Sequence, residues 1–367
     1  MIDNILGAFV VGLLVSFLVM PLIIALLKKK NLMDSPDRRK IHRGFIPSMG
    51  GIGIVVGLIV ALLIWLTFNG IIESKYLLAG VGLLFVAGIR DDLIPISPRV
   101  KLIVQILAAF IVLTDGIVIS SAYGLFGLDD IYYTVKIFIT IGFIIFFTNS
   151  FNLIDGLDGL AGTIALIISS FFATWFYLNE SYYLAVISAA TAGSIIGFLY
   201  YNWKPAKIFM GDTGALSLGF LFSVLAILFL NKDSALTTEW YKFQAPISTA
   251  IAVLIIPLFD TSRIIVVRLV KKKSPFEPDN NHTHHVLIRL GLTHAQAALV
   301  LGFANLVFIG FVTIFRQHED NILLPIIILV CFSLSVLLDQ LIIHRVRTKG
   351  GKKRKKLKES IKAGKSQ

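Results

Sequence analysis

The chain has 367 residues, of which 56% are hydrophobic and 15% charged, a balance that excludes an ordinary soluble domain. Apolar runs recur along most of the chain, so we predict one membrane domain over 1–344 and a flexible basic tail over 345–367. The formal net charge of +12 lies largely in that tail, which predicts contact with an anionic leaflet of the lipid bilayer and no nucleic-acid partner. A single cysteine, Cys331, excludes an intramolecular disulfide and a thiolate zinc site.

The predicted fold class is an all-α, polytopic transmembrane bundle of about eleven spans, since about 20 apolar residues are needed to cross the hydrocarbon core. The first apolar run is too long for a signal peptide and is followed by lysines, so it is expected to stay attached as an anchor. The third and fourth runs are short for spans. The predicted spans are 5–27, 49–68, 76–89, 101–114, 131–148, 160–178, 182–200, 213–230, 246–267, 296–315 and 322–343.

The distribution of lysine and arginine predicts the orientation of these spans. Basic residues are concentrated in 28–43, 90–101, 263–289 and the tail, which alternate with segments that carry few positive charges. Because cytoplasmic loops carry the excess of positive charge, the amino terminus is predicted outside and the carboxyl terminus in the cytoplasm. The polar motifs then fall on the cytoplasmic face, and we expect them to form one site.

Two adjacent carboxylates, Asp91 and Asp92, end the third apolar run. An unpaired carboxylate at this depth is costly, and adjacent carboxylates repel each other, so a metal or a cation such as Arg90, Arg99 or Lys101 should neutralise them. The pair is predicted as a metal or general-base site, and a helix cap facing water is the alternative.

The next motif runs from Asn152 to Gly159 and contains Asp155 and Asp158, which would share a face if the segment were helical. Oxygen ligands without thiolates favour Mg²⁺, with Mn²⁺ as the alternative, and Mg²⁺ usually accompanies substrate phosphates. A purely structural turn is the other interpretation.

Asp212 is predicted near the start of the eighth span, as a metal ligand or as an N-cap. Phe209, just before it, could stack on a base or anchor the chain at the membrane interface.

Three histidines, His282, His284 and His285, follow a loop that two prolines keep from being helical. Histidine near pH 7 suits phosphate binding or proton donation, so substrate contact is favoured over zinc or an incidental polar loop. Asp260 and Arg263 precede this loop on the same predicted face.

In this order, the motifs resemble those of the polyprenyl-phosphate N-acetylhexosamine-1-phosphate transferases. The resemblance covers roughly residues 30 to 290. It is carried by Arg39-Lys-Ile-His42 before Pro47-Ser-Met-Gly-Gly51, by Asp91-Asp92, by Asn152-Leu-Ile-Asp-Gly-Leu-Asp-Gly159, by Phe209-Met-Gly-Asp212, by Pro257 with Asp260-Thr-Ser-Arg263, and by Ser274-Pro-Phe with the histidines.

The resemblance implies a multi-pass enzyme of the bacterial inner membrane, with a cytoplasmic active site and Mg²⁺. Its donor would be a UDP-N-acetylhexosamine, its acceptor undecaprenyl phosphate, and its products a sugar-diphosphate lipid and UMP. This would be the first membrane step of a cell-envelope glycan pathway. The oligomeric state is left open, a homodimer included.

By position, the resemblance also implies roles for individual residues. The matching residues are the catalytic pair Asp91 and Asp92, the metal ligands Asp212 and Asn152, the nucleotide-site residues Asn152, Asp155, Asp158 and Phe209, and the diphosphate- and sugar-binding residues Arg263, His282, His284 and His285. Arg43, beside the first motif, is a further candidate substrate-binding residue. The muramoyl-pentapeptide branch carries three consecutive histidines, whereas residue 283 here is Thr283, so GlcNAc-1-phosphate is the favoured group and the pentapeptide transferase is the alternative.

A different class is a divalent-cation or lipid transporter. Its intramembrane acids would line a pathway and occur on both faces. The acidic motifs here are predicted on one face, which favours the enzyme.

Overall fold

The computed structural model describes residues 1–30, 46–237, 241–272, 274, 282–338 and 340–341. Within these ranges the chain is helical, with one short 3₁₀ turn at Leu125–Gly127. Arg43, most of the loop before the histidines, and the basic tail lie outside the described residues. The helices are α1 (Ile2–Lys29), α2 (Gly51–Trp65), α3 (Phe68–Leu93), α4 (Pro98–Leu113), α5 (Tyr133–Leu153), α6 (Leu160–Leu178), α7 (Tyr182–Asn202), α8 (Gly211–Ala235), α9 (Pro246–Val253), α10 (Ile255–Val270), α11 (Thr283–Arg289), α12 (His294–Ile314) and α13 (Asp320–Leu338).

Each predicted span overlaps one of these helices, and the helical fold class is confirmed. Among the described residues, eight helices are long and apolar enough to cross a membrane. A ninth candidate is the pair α9 and α10, which is bent by 86°. The helices α2 and α4 are shorter, so the figure of eleven spans stays a prediction.

The third predicted span is longer than its apolar run suggested. It begins at Phe68 and takes in the polar residues Glu73, Ser74 and Lys75. Thr67 caps this helix by accepting the backbone N–H of Gly70 at 3.2 Å. The helix therefore starts at its capping residue, well before the continuous apolar run.

Helix α8 is the centre of the bundle. Of the 18 consecutive residues that form its apolar segment, 94% are buried inside the protein. The corresponding figure for α13 is 17%. Helices α3 and α5 pack against α8, and α1 packs against α7. The start of α8 is therefore enclosed by protein, and its polar groups must find partners there.

Short connections link α3 to α4, α5 to α6 and α7 to α8. Hydrogen bonds and ion pairs join the residues at these connections to one another, and Asp260 of α10 contacts the start of α11. One end of the bundle thus carries the predicted polar motifs that the structure describes.

Candidate active site

Backbone hydrogen bonds join the segment before α2 to the segment before α8. Phe209 donates its N–H to the carbonyl of Pro47 at 2.9 Å, and its own carbonyl accepts the N–H of Gly50 at 2.8 Å. Gly51 donates to the carbonyl of Met210 at 2.8 Å. Two motifs far apart in sequence are thereby fixed side by side, with the Phe209 side chain half-buried.

The carboxylate of Asp92 holds the first turn of α8. It accepts the backbone N–H groups of Asp212 and Thr213 at 2.9 and 3.0 Å, and the hydroxyl of Thr213 also donates to it. The first backbone N–H groups of a helix have no partner within the helix, so Asp92 caps α8 from another helix. Both of its oxygens are engaged in this contact.

Gly211 makes room for this cap. Its φ of +72° lies in the left-handed region, and a Cβ placed there would meet the Asp92 carboxylate at 2.6 Å. A side chain would therefore be strained in its backbone and would displace the carboxylate.

Lys101 joins the other two carboxylates at this point. Its ammonium forms an ion pair with Asp91 and a second ion pair with Asp212, at 2.9 Å. Asp91 also accepts the N–H of Ile96 at 2.7 Å. Lys101 is thus the cation that the sequence required beside the acidic pair, and it links the end of α3 to the start of α8.

The Asn152–Gly159 motif runs from the end of α5 through a turn to α6, so the helical segment on which Asp155 and Asp158 would have shared a face is not formed. Helix α5 ends at Leu153, before the first glycine of the motif, and the carboxylates take separate partners. Asp155 accepts the N–H of Gly211 at 3.1 Å.

Asp158 is almost fully buried, at 2% exposure. It accepts the N–H of Ala206 at 3.4 Å and lies 3.3 Å from Nδ1 of His294. Asn202 supports the same turn by accepting the N–H of Gly159 at 2.9 Å and donating to the carbonyl of Ile208 at 2.8 Å. The turn is therefore tied to the loop before α8 and to the start of α12.

Asp260 and the histidines form a second polar cluster. Asp260 accepts the backbone N–H of Thr283 at 2.6 Å and lies 2.9 Å from Nδ1 of His282. His284 packs against the turn between α5 and α6, because a Cβ at Gly156 would lie 3.1 Å from its Nε2. The histidine cluster thus adjoins the motif that holds Asp155 and Asp158.

Two of the histidines are held in their neutral form. Burial lowers the pKa of His284 to about 3, against a smaller opposing effect of Asp260. Burial also lowers the pKa of His285, with His282 and Arg289 adding to the shift. Both imidazoles are therefore uncharged near pH 7.

Arg263 and Asn152 are the two remaining predicted site residues that the structure describes. Arg263 donates from Nε to the hydroxyl of Ser335 at 2.7 Å, a contact between α10 and α13. The half-buried side chain of Asn152 makes no hydrogen bond within the part of the chain that the structure describes. The roles implied for these two residues stay predictions.

The donor set suits Mg²⁺. No three acidic, histidine or cysteine side chains form a closed metal cage among the described residues. Mg²⁺ is usually held by only one or two carboxylates, with water and substrate phosphates completing its shell. Asp91 and Asp212 both contact the ammonium of Lys101, so they converge on one positive charge and could hold another.

Three residues of this network were missed in the selection of site residues from the sequence: Asn202, His294 and Asp260. Asp260 had been noted only as part of a motif. Its signal was a buried position for an acid in an apolar helix, which requires a partner. Asn202 and His294 gave no comparable signal, because their partners are set by helix packing.

The chain is similar in sequence to known proteins over most of its length. The profile of the family described as "Glycosyl transferase family 4" matches residues 74–230. The chain is 33% identical over 309 residues to the "Probable undecaprenyl-phosphate N-acetylglucosaminyl 1-phosphate transferase" of Bacillus subtilis (strain 168), which covers 82% of each chain.

Two further relatives match this chain with similar identity and over similar lengths. The "Undecaprenyl-phosphate alpha-N-acetylglucosaminyl 1-phosphate transferase" of Escherichia coli (strain K12) is 30% identical over 320 residues, 84% of this chain and 83% of the relative. The "Decaprenyl-phosphate N-acetylglucosaminephosphotransferase" of Mycolicibacterium smegmatis is 30% identical over 290 residues, 72% of this chain and 71% of the relative.

Proposed function

Because this chain belongs to the polyprenyl-phosphate N-acetylhexosamine-1-phosphate transferase family of membrane phosphotransferases, we propose that it transfers GlcNAc-1-phosphate from UDP-GlcNAc to undecaprenyl phosphate and releases UMP. The observation that carries this proposal is the convergence of Asp91, Lys101 and Asp212 at the end of the bundle that also holds the histidine cluster. Two phosphate-bearing substrates repel each other, so a site that brings them together needs a positive charge and oxygens that can bind a metal ion.

Asp91 and Asp212 would hold Mg²⁺, or Mn²⁺ in its place, and the ion would neutralise charge on the donor diphosphate. Lys101 lies between these carboxylates and keeps them from repelling each other. Asp155 and Asp158, fixed in the turn after α5, would form the nucleotide side of the site with Asn152 and Phe209. The histidines would face the diphosphate and sugar.

Direct attack by the lipid phosphate on the sugar-bearing phosphorus is the route that we favour. A phosphate monoester has a second pKa near 6 and is largely a dianion at pH 7, so it needs positioning more than deprotonation. Both Asp92 oxygens accept hydrogen bonds from the first turn of α8, so this carboxylate has a structural role that direct attack leaves intact.

The donor is proposed to be UDP-GlcNAc rather than the muramoyl-pentapeptide nucleotide. Thr283 interrupts the run of histidines, and its N–H binds Asp260. All three relatives described above carry N-acetylglucosamine in their names.

We place the site on the cytoplasmic side of a bacterial inner membrane, where nucleotide sugars are made. The basic segments that follow α1 and α10 support this orientation through the excess of positive charge in cytoplasmic loops. The lipid product would enter a cell-envelope glycan pathway.

Buried carboxylates also occur near the far end of α8, where a transporter would require them. Asp233 accepts the N–H of Phe243 at 3.0 Å, and Asp320 accepts the N–H of Ser248 at 2.6 Å. A backbone donor therefore engages each acid, although Oδ2 of Asp233 has no hydrogen-bond partner among the described residues, and about 30 Å of helix separates Asp233 from Asp212. The enzyme remains the function that the geometry supports best.

The test is UMP release by the purified full-length protein with undecaprenyl phosphate and Mg²⁺. A donor panel would comprise UDP-GlcNAc, UDP-GalNAc and UDP-MurNAc-pentapeptide, and we expect UDP-GlcNAc to give the highest kcat/KM. Lack of UMP release from every donor would refute the proposal. Exchange of labelled UMP into UDP-GlcNAc without lipid would refute direct attack, since it requires a sugar-phosphate held on the enzyme.

A further inference from the structure

Asp260 contacts the histidine cluster from α10 with both of its oxygens. Oδ2 lies 2.9 Å from Nδ1 of His282, and Oδ1 accepts the N–H of Thr283 at 2.6 Å. Asp260 is 3% exposed and His282 6% exposed. A carboxylate buried to this degree is stable only when such partners satisfy it, so the contact is a fixed part of the fold.

The geometry distinguishes His282 from its neighbours. Nδ1 of His284 is 3.8 Å from the same Asp260 oxygen, beyond a hydrogen bond. The ring centroids of His282 and His284 are 5.5 Å apart, and those of His284 and His285 are 4.3 Å apart. Three imidazolium ions at these separations would repel one another, and one carboxylate balances one positive charge.

We propose that Asp260 is a positioning residue that accepts the Nδ1–H of His282 and fixes the orientation of its ring, so that Nε2 faces the phosphates of the substrates. This inference rests on the proposed function. A carboxylate on one ring nitrogen selects the tautomer of a histidine and holds its ring, which leaves the other nitrogen for the substrates.

The charged and titratable groups around His282 come from three elements. Asp260 faces it from α10, His284 and His285 from α11, and His294 adds to the field of the cluster from the start of α12. Arg289, at the end of α11, acts on His285. Asp158 lies 3.3 Å from Nδ1 of His294 and is a second carboxylate beside the cluster, so Asp260 is distinguished by its direct contact with His282.

The experiment compares Asp260→Asn, His282→Gln and the double variant in the UMP-release assay. Asparagine can still accept the N–H of Thr283, but its NH₂ group then faces Nδ1 of His282 and cannot accept a proton from it. We expect D260N to lower kcat by about 10- to 100-fold with a smaller change in KM for UDP-GlcNAc. The double variant should lose no more than H282Q alone, because the two residues act as one unit.

Asp320→Asn is the matched control. Asp320 is also a buried acid that caps a helix, accepting the N–H groups of Ile247 and Ser248 at 3.2 and 2.6 Å, but no described histidine contacts it. Both Asp→Asn variants should unfold at lower temperature, and D320N should keep the wild-type kcat.

The outcomes are separable. A wild-type kcat in D260N, or losses that multiply in the double variant, would overturn the inference while leaving the proposed function intact. If D260N does not fold, Asp260→Glu takes its place, since it keeps a carboxylate but moves it relative to Nδ1 of His282; an unchanged kcat in D260E would then overturn the inference. Absence of UMP release by the wild type would overturn both proposals.

Discussion

Asp92, near the end of α3, accepts the backbone N–H of Thr213 in the first turn of α8 at 3.0 Å, and the Thr213 hydroxyl donates to the same oxygen. The contact locks two helices at the position where Asp91 and Asp212 meet on Lys101. A residue that the family resemblance presents as catalytic is therefore also a structural cap. Its mutation should affect stability as well as activity.

The Thr213→Val variant tests the structural share of this contact. Valine keeps the shape and the backbone N–H but removes the hydroxyl, so we expect a loss of about 1 kcal/mol in the free energy of unfolding. Asp92→Ala removes the cap for both N–H groups and should cost more, about 1–3 kcal/mol. The measurement is thermal unfolding in detergent. It is monitored through the reaction of a fluorescent dye with the buried thiol of Cys331, which unfolding exposes.

Thr213→Ser, which keeps the hydroxyl, is the control and should unfold close to the wild-type temperature. The double variant D92A/T213V should be no less stable than D92A, because the hydroxyl has no acceptor once Asp92 is gone. Full stability of D92A would show that α8 does not depend on this cap.

Lys101→Gln should lower kcat by about 100-fold, because it removes a positive charge that is fixed beside the transferred phosphate. The same change leaves Asp91 and Asp212 without their shared cation, so Mg²⁺ should bind more tightly. We therefore expect a lower half-maximal Mg²⁺ concentration together with the lower rate. Mg²⁺ should also raise the unfolding temperature of K101Q more than that of the wild type.

Lys101→Arg keeps the charge and is the control for this prediction. It should retain more activity than K101Q and a Mg²⁺ requirement close to that of the wild type. Unchanged kcat in K101Q would contradict the place of Lys101 in the site.

Gly211→Ala should destabilise the start of α8. The positive φ of Gly211 costs a non-glycine residue about 1–2 kcal/mol, and the added Cβ would press on the Asp92 carboxylate. Gly142→Ala in α5 is the matched control, since a Cβ there meets nothing within 4 Å. The unfolding temperature of G211A should fall, while that of G142A should stay or rise slightly, as alanine favours helix. Equal effects of the two changes would argue against the strained turn.

Buried His284 should make the fold less stable in acid. Its pKa of about 3 in the folded protein lies below the ordinary value of about 6.5, so between these pH values only the unfolded chain takes up the proton. Stability is therefore complete above about pH 6.5 and falls as the pH drops, by up to about 1.4 kcal/mol per pH unit. Unfolding followed by tryptophan fluorescence from pH 7 to pH 5 should show this slope.

His284→Gln should have a shallower dependence on pH, because glutamine takes up no proton. His318→Gln, which changes an exposed histidine, serves as the control and should keep the wild-type slope. Identical slopes for wild type and H284Q would contradict the prediction.

The sequence predicted the site better as a set of motifs than as individual contacts. It predicted that a metal or a cation such as Lys101 would neutralise Asp91 and Asp92, and Lys101 forms an ion pair with Asp91. It left open whether Asp155 and Asp158 lie on a helix or in a turn; α5 ends at Leu153, and each carboxylate binds a different segment. Spacing along the chain could not reveal this, because a Gly-containing turn has no fixed periodicity.

The sequence by itself determined the class of the protein, its helical fold and the approximate positions of its helices, because these follow from composition and from the length of apolar runs. It also determined the set of polar motifs. The tertiary structure decided which atoms these motifs bring together: Asp92 finds Thr213, and Lys101 finds Asp212, across more than 100 residues of chain. A buried carboxylate must be satisfied by whatever donors helix packing presents to it, so the division of labour among Asp91, Asp92 and Asp260 is a property of the packed bundle.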